Sequence, residues 1–211
     1  MEASEVASLV ERYQKEKDHI HNEEETKTKL IVPFLRLLGY NPESGNQVRL
    51  EYRGDFQTKA TKPAKDSEPM DYAIFDRDDR PIMVIEAKKL GGDVQARSAQ
   101  LGVYVNKMAG LHLGIITDGC EYLFYADLDA PNVMDDKPFY RFSLAETATD
   151  WGQVASFLTK LSCKNFSNET LTIDAENCRY RQAMVEKLIA VMRAPNSDHD
   201  FMSEWLCKGL L

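Results

Sequence analysis

Two short apolar segments separated by a charged turn constrain the fold of this chain more than any other feature of its sequence. The first runs from Asp71 to Phe75, the second from Ile82 to Ala87, and the Asp-rich stretch 76–80 joins them. Apolar runs of this length, bounded by turn-forming residues, are typical of strands. The sequence therefore predicts a β-hairpin here.

The second predicted strand ends in charged residues. Because side chains alternate along a strand, Glu86 and Lys88 point to the same side, and a hairpin partner brings Asp71 beside them. Two neighbouring carboxylates repel each other, so a site that keeps both ionised usually supplies a divalent cation. Magnesium suits such a site, since it takes one or two carboxylates with water and phosphate oxygens. If such a site cleaves a phosphate ester, we expect the Lys88 ammonium to orient the metal-bound water that attacks the phosphorus. It would also offset the negative charge that develops on the phosphate in the transition state.

An ordinary explanation competes with this one. An Asp…Glu-x-Lys combination often arises by chance, as an exposed pair of Glu86 and Lys88 with Asp71 in an unrelated turn. However, these charged residues directly follow the apolar segment 83–85, which is typical of a buried strand. Charged residues at the end of a buried strand are uncommon unless they have a function. The context favours the catalytic interpretation.

Helices and strands predicted elsewhere place the hairpin in an α/β domain. One helix begins after Asn22, which can cap it while Glu25 supplies the return bond of a capping box, and Gly39 ends it. Pro33 inside this helix predicts a kink, because proline removes a hydrogen bond and crowds the preceding turn. The other predicted elements are a helix at 4–20, a strand at 47–52, a loop at 56–69, a helix at 93–108, strands at 111–117 and 121–125 joined by a turn at Asp118-Gly119, an edge strand at 139–144, and helices at 151–161, 176–192 and 198–206.

The net charge and the terminal sequence limit the classes of function. A formal charge of -8 argues against a protein that coats nucleic acid, because such binding depends on cations that meet phosphates. No apolar run approaches the roughly 18 to 20 residues of a membrane span, and the first residues lack the apolar region of a signal peptide, so we expect a cytoplasmic protein. DNA binding would therefore need a local basic surface. The candidates for that surface, which are otherwise ordinary solvated cations, are Arg53, Lys59, Lys62, Lys65, Lys88, Lys89, Arg97 and Lys107.

Six segments of the sequence carry a family resemblance: Asn22–Lys27, Leu30–Pro33, Leu37–Tyr40, Asp71-Tyr72-Ala73, Glu86-Ala87-Lys88 and the turn Gly114–Gly119. Together they resemble the nuclease domain of type I restriction enzyme R subunits, within the PD-(D/E)XK superfamily, although asparagine is commoner than Asp118 in that turn. The resemblance covers roughly residues 22–126 and departs from the motif at one place, where Met70 rather than proline precedes Asp71.

The resemblance implies a restriction-endonuclease-like fold, with a central mixed sheet flanked by helices and followed by a C-terminal helical extension. We expect residues 1–148 to form the nuclease-like core with its N-terminal helices, and residues 149–211 to form the extension. The metal ligands would be Asp71, Glu86 and the backbone carbonyl of Ala87.

Three further residues receive supporting roles from the resemblance. Glu23 aligns with the family's helix glutamate, four residues before a basic position that is Lys27 here, and would bind the metal directly or through water. Its ordinary role is that of an anion at a helix N-terminus. Gln100 and Tyr104 fit the QxxxY pattern of the RecB-like branch, where they would brace the catalytic lysine or contact a phosphate. Otherwise, Tyr104 packs in the core and Gln100 lies on the surface.

These observations predict a magnesium-dependent endonuclease, with manganese able to substitute, that cleaves DNA in a bacterial or phage restriction or defence system. Further restriction-system subunits or domains would be its partners. No GxxxxGK[ST] phosphate loop is present in the sequence, so the chain itself encodes no ATP-driven motor. The alternatives are a catalytically inactive nuclease-fold module that binds DNA or protein, and an unrelated α/β domain with ordinary surface charges.

Overall fold

A six-stranded sheet lies at the centre of the computed structural model, which describes residues 1–53, 69–95, 101–102, 108 and 110–193. Neighbouring strands follow the order of the chain, and all pairs are antiparallel except β3 with β4, which are parallel. The strands are β1 Val48–Tyr52, β2 Met70–Phe75, β3 Pro81–Ala87, β4 Gly114–Thr117, β5 Glu121–Tyr125 and β6 Tyr140–Ser143. The predicted α/β fold with a mixed sheet is confirmed.

The hairpin predicted from the two apolar segments is formed by β2 and β3. Its register pairs Tyr72 with Ile85 and Ala73 with Val84. In the connecting turn, the carboxylate of Asp76 accepts hydrogen bonds from the backbone N–H groups of Asp78 and Arg80, both at 2.9 Å. The aspartate therefore closes the turn by accepting from two of its backbone N–H groups.

Helical segments precede the sheet. They are α1 Ala3–Glu16, a 3₁₀ turn Lys17–His19, α2 Glu23–Thr26, a π-helical turn Lys27–Ile31 and α3 Val32–Leu37. The predicted cap at Asn22 is confirmed, since its side chain accepts from the Glu25 N–H at 2.8 Å. The predicted return bond is displaced by one residue, because the Glu25 carboxylate accepts from His21 N rather than from Asn22 N.

At Pro33, where a kink was predicted, a π-helical turn precedes the proline. Val32 N–H donates to the carbonyl of Lys27, five residues earlier. Proline has no N–H to donate and crowds the carbonyl four residues before it, which is that of Lys29. A wider turn relieves this crowding while the chain stays helical to Leu37.

Up to residue 193, where the described part of the chain ends, two helices follow the sheet: α4 Trp151–Leu161 and α5 Asn168–Arg193. The bounds of α4 agree with the prediction, whereas α5 begins at Asn168 rather than near Glu176. Leu171 and Ala175 are buried in this first part of α5, so its contacts with the core extend the helix beyond the apolar stripe that the sequence shows.

Each face of the sheet carries its own apolar cluster. The cluster on one face joins the strands to α1, α3 and α4, and includes Val6, Leu9, Phe34, Leu35, Met83, Ile85, Tyr122, Phe124, Phe157 and Leu158. The cluster on the other face includes Ala73, Val84, Leu101, Leu111, Ile116 and Leu123. Because side chains alternate along β2 and β3, Asp71 and Glu86 lie on this second face.

Some predicted elements fall outside the described residues. These are the loop predicted at 56–69, apart from Pro69, most of the helix predicted at 93–108, and the helix predicted at 198–206. The division of the chain at residues 148 and 149 stays a prediction. Among the helices of the described ranges, none combines the length and the apolar character that a membrane span needs.

Candidate active site

Asp71 and Glu86 face each other across β2 and β3. The pairing of Tyr72 with Ile85 sets Asp71 opposite Glu86 in an antiparallel register. Asp71 Oδ2 accepts a hydrogen bond from Ala87 N at 2.7 Å. The backbone of β3 thus fixes the carboxylate of Asp71 beside the residue that supplies the second carboxylate.

Lys88 completes the group at the end of β3. Its Nζ forms an ion pair with Glu86 Oε1, and the alternation along the strand places both on one side of the sheet. Lys88 N also donates to Thr117 O at 2.8 Å, which ties the end of β3 to β4. The side chain of Glu86 is only 4% exposed and that of Lys88 14%, so solvent screens this pair little.

A second lysine reaches the same place from the π-helical turn. Lys27 Nζ lies 2.5 Å from Asp71 Oδ1, and also 3.2 Å from Glu23 Oε1 and 3.0 Å from Glu24 Oε1. Burial by itself would lower the pKa of Lys27. Hydrogen bonds to Asp71, Glu24 and Glu23, with the negative charge of Asp71, outweigh burial and raise this pKa. The lysine is therefore a fixed cation at Asp71.

The position of this lysine is only weakly indicated by the sequence. Lys27 follows Glu23 by four residues, a spacing that places two side chains on one helix face. Its contact with Asp71 depends instead on where the helix meets the sheet, which no local pattern specifies.

Two side chains hold the segment that follows Lys88. Thr26 Oγ1 accepts from Leu90 N at 3.0 Å, and Asp118 Oδ2 accepts from Gly91 N at 2.9 Å. Thr26 is fully buried and Asp118 is 6% exposed. Sequence reasoning did not assign these roles, although the Asp118-Gly119 turn was a signal for one of them.

The same turn is fastened by its own hydrogen bonds. Asp118 Oδ1 accepts from Cys120 N at 2.9 Å and from Glu121 N at 2.7 Å. Gly119 has a φ of 80°, and a Cβ there would lie 2.8 Å from atoms of the Leu30 side chain. Glycine is needed because both the backbone conformation and the approach of Leu30 exclude a side chain.

The structure brings together only part of the predicted site. Asp71, Glu86, Ala87 and Lys88 meet, whereas the carboxylate of Glu23 contacts Lys27. Within the described ranges, no three His, Cys, Asp or Glu side chains form a group that could hold a metal, so a ligand role for Glu23 stays a prediction. Several predicted residues lie outside the described part of the chain: Gln100, Tyr104, Lys59, Lys62, Lys65, Arg97 and Lys107.

The donors that do meet fit one kind of metal ion. Asp71 and Glu86 offer hard carboxylate oxygens, and Mg²⁺ needs only one or two of these because it keeps several waters. Structural zinc would require sulfur or imidazole ligands, and calcium takes six to eight oxygens. The donor set therefore fits Mg²⁺, or Mn²⁺ in its place.

Comparison with known proteins gives a family and two distant structural likenesses. The family described as type I restriction enzyme R protein N terminus matches residues 20–133, more than half of the chain. No curated protein shows a significant match.

The two solved structures are of much longer chains, of which this chain spans only a small part. A cryo-EM structure of a DrdV–DNA complex is 14% identical, with a TM-score of 0.41, over 73% of this chain and 13% of that one. A crystal structure of the type IIG restriction endonuclease BpuSI is 14% identical, with a TM-score of 0.35, over 69% of this chain and 16% of that one. It is the match over residues 20–133 that decides the relationship: the chain belongs to the family of type I restriction enzyme R protein N-terminal domains.

Proposed function

We propose that this chain is a PD-(D/E)XK nuclease domain that hydrolyses DNA phosphodiester bonds with Mg²⁺, as part of a restriction or defence system. The observation that carries the proposal is the placement of Asp71 opposite Glu86, with Lys88 paired to Glu86. Membership of a restriction-enzyme family supports the choice of DNA as substrate.

Asp71, Glu86 and the carbonyl of Ala87 would hold the ion. When bound, Mg²⁺ polarises the scissile phosphate and makes a nearby water more acidic. The bond from Ala87 N to Asp71 Oδ2 keeps the Asp71 carboxylate in place, so little reorganisation is needed before the reaction. Glu23 would join as a direct or water-mediated ligand, either through Oε2 or by releasing Lys27 from Oε1.

Lys88 acts on the reacting groups. Its ammonium orients the attacking water and offsets the negative charge that develops on the phosphate. Because its side chain is largely buried beside Glu86, this charge acts in a medium that screens it less than water does. Loss of one such preorganised donor costs about 10²- to 10³-fold in rate.

The chain carries a net charge of -8, so it can bind the phosphates of DNA only through a local surface that is rich in basic residues. Arg53 and Lys89 are exposed, and we propose that they contact phosphates, together with Lys59, Lys62, Lys65, Arg97 and Lys107. Gln100 and Tyr104 would brace Lys88 or contact a phosphate. Other restriction-system subunits or domains would be further partners.

Cleavage of plasmid and single-stranded DNA with Mg²⁺ or Mn²⁺ tests the proposal. Wild type should cut, and Glu86→Ala and Lys88→Ala should each lose at least about 100-fold in rate. Glu169→Ala and Lys164→Ala remove exposed charges on or near α5, outside this site, and should cut like wild type. The proposal is wrong if wild type cuts neither substrate, or if the two site variants cut as well as the controls.

The alternative function is a nuclease-fold module that binds DNA or protein without cutting. Two observations favour it: Lys27 occupies Asp71 Oδ1, and the net charge is negative. DNA binding that persists without any divalent ion, combined with no cleavage under all conditions, would support this alternative.

A further inference from the structure

Lys27 has three carboxylate partners at hydrogen-bonding distance. Its Nζ lies 2.5 Å from Asp71, 3.0 Å from Glu24 and 3.2 Å from Glu23. A lysine ammonium has three N–H donors and no acceptor. Each of the three donors therefore has a carboxylate oxygen within reach, and the ammonium is surrounded by negative charge.

Two of these partners are predicted metal ligands. Asp71 presents Oδ1 to Lys27 and Oδ2 to the N–H of Ala87, while Glu23 contacts Lys27 as well. A metal ion that binds Asp71 therefore joins a carboxylate that already holds the ammonium on Oδ1, and it meets the positive charge of Lys27 whichever oxygen it takes. Since two cations repel each other strongly where burial limits screening, displacement is the favoured outcome.

The surroundings of Lys27 offer a second position for its ammonium. The side chain of Lys27 is 10% exposed, and that of Asp71, on the side of the ammonium that faces the protein interior, is 11% exposed. Glu24 and Glu51 lie on the outer side, with side chains 79% and 65% exposed, and Glu51 is 3.9 Å from Lys27 Nζ. A small rotation of the lysine towards these two carboxylates would release Asp71 and keep the positive charge partnered.

We propose that Lys27 is a built-in counter-cation, which pairs with Asp71 and Glu23 in the metal-free chain and competes with the divalent ion for them. This inference rests on the proposed function, because it takes Asp71 as a metal ligand. Lys27 is in this sense a positioning residue: it acts through the carboxylates, keeps them in place without metal, and sets the metal concentration at which the site fills.

Direct binding of Mn²⁺, without DNA, tests the proposal by calorimetry. Lys27→Met removes the charge and keeps the apolar length, so it should bind Mn²⁺ at least tenfold more tightly than wild type. Lys27→Arg keeps the charge and should bind like wild type. Lys29→Met, a change in the same π-helical turn to a lysine that contacts Glu16 and the carbonyl of His19, should leave the affinity unchanged.

Thermal unfolding gives a second readout. Without metal, Lys27→Met should melt below wild type, because Asp71 and Glu23 then repel each other uncompensated. Saturating Mn²⁺ should raise its Tm by more than that of wild type. A merely structural role for Lys27 predicts the reverse for affinity, since a disturbed site binds metal more weakly.

A folded Lys27→Met variant that binds Mn²⁺ no more tightly than wild type overturns the inference, and so does a failure of both proteins to bind. If wild type cuts DNA while the two affinities are equal, the proposed function stands and only the inference fails.

If Lys27→Met does not fold, the ¹⁵Nζ signal of Lys27 in wild type, assigned by its loss in Lys27→Arg, decides. Saturating Mg²⁺ should shift it more than the Lys29 signal, and an unmoved signal overturns the inference.

Discussion

Ala87 N donates a hydrogen bond to Asp71 Oδ2 at 2.7 Å, so the strand that carries Glu86 also fixes the carboxylate opposite it. Ala87 is 1% exposed, and its N–H would lose its partner if the aspartate were removed. One side chain therefore serves both the pairing of the two strands and the candidate site.

Asp71→Ala and Asp71→Asn should separate these two contributions. Asp71→Ala leaves a buried N–H without a partner and should lower the free energy of unfolding by about 1–3 kcal/mol. Asparagine retains an oxygen that can accept from Ala87 N, so Asp71→Asn should cost less. Both variants should lose DNA cleavage. Urea unfolding and plasmid cleavage measure the two effects, and equal stability of the two variants would contradict the structural role.

Gly119→Ala should be much more costly than Gly91→Ala. Both glycines have positive φ, 80° and 75°, so each substitution carries a backbone cost of about 1–2 kcal/mol. At Gly119 a Cβ also meets Leu30 at 2.8 Å, whereas at Gly91 it meets nothing within 4 Å. Crowding should add about 1–3 kcal/mol at Gly119. Similar midpoints of urea unfolding for the two variants would show that Leu30 can move aside.

Asp118→Asn should destabilise this chain, although asparagine is the commoner residue of the turn in the family it resembles. Asp118 uses Oδ1 for two N–H groups of the turn and Oδ2 for Gly91 N. The amide oxygen of asparagine can still accept from the N–H groups of Cys120 and Glu121. Its NH₂ group, which replaces Oδ2, cannot accept from Gly91 N. We expect a loss of about 1.5–3 kcal/mol, the value of a hydrogen bond to a charged group. Chemical denaturation that gives wild-type stability would refute the bond to Gly91.

Residues 1–148 should not fold on their own. Phe157 and Leu158 of α4 belong to the same apolar cluster as Phe124 and Phe139, and Tyr40 Oη donates to the carbonyl of Leu161 at 3.1 Å. Truncation would expose this cluster. Leu158→Ala in the full chain is the milder version and should cost about 2–5 kcal/mol. Cooperative urea unfolding of residues 1–148, followed by circular dichroism, would contradict the prediction.

Local patterns were sufficient wherever neighbouring residues decide the structure. The alternation in β3 predicted that Glu86 and Lys88 share a side, and the Asp-rich turn predicted that Asp71 lies in the partner strand. The edge strand β6 and the bounds of α4 followed from the same kind of periodicity. The early start of α5 was not predicted. Leu171 and Ala175 are buried against the core, and this tertiary contact has no counterpart in the local sequence pattern.

The sequence by itself determined the hairpin, the facing carboxylates and the neighbouring lysine, because a period of two and a short turn fix these relationships within a few residues. Only the tertiary structure decided that Lys27 meets Asp71, that Thr26 holds Leu90 and that Asp118 holds Gly91. Each of these contacts joins elements far apart in the chain. They arise from the way the N-terminal helical segments and the β4–β5 turn pack around the end of β3, and packing depends on the shape of the whole core rather than on local spacing.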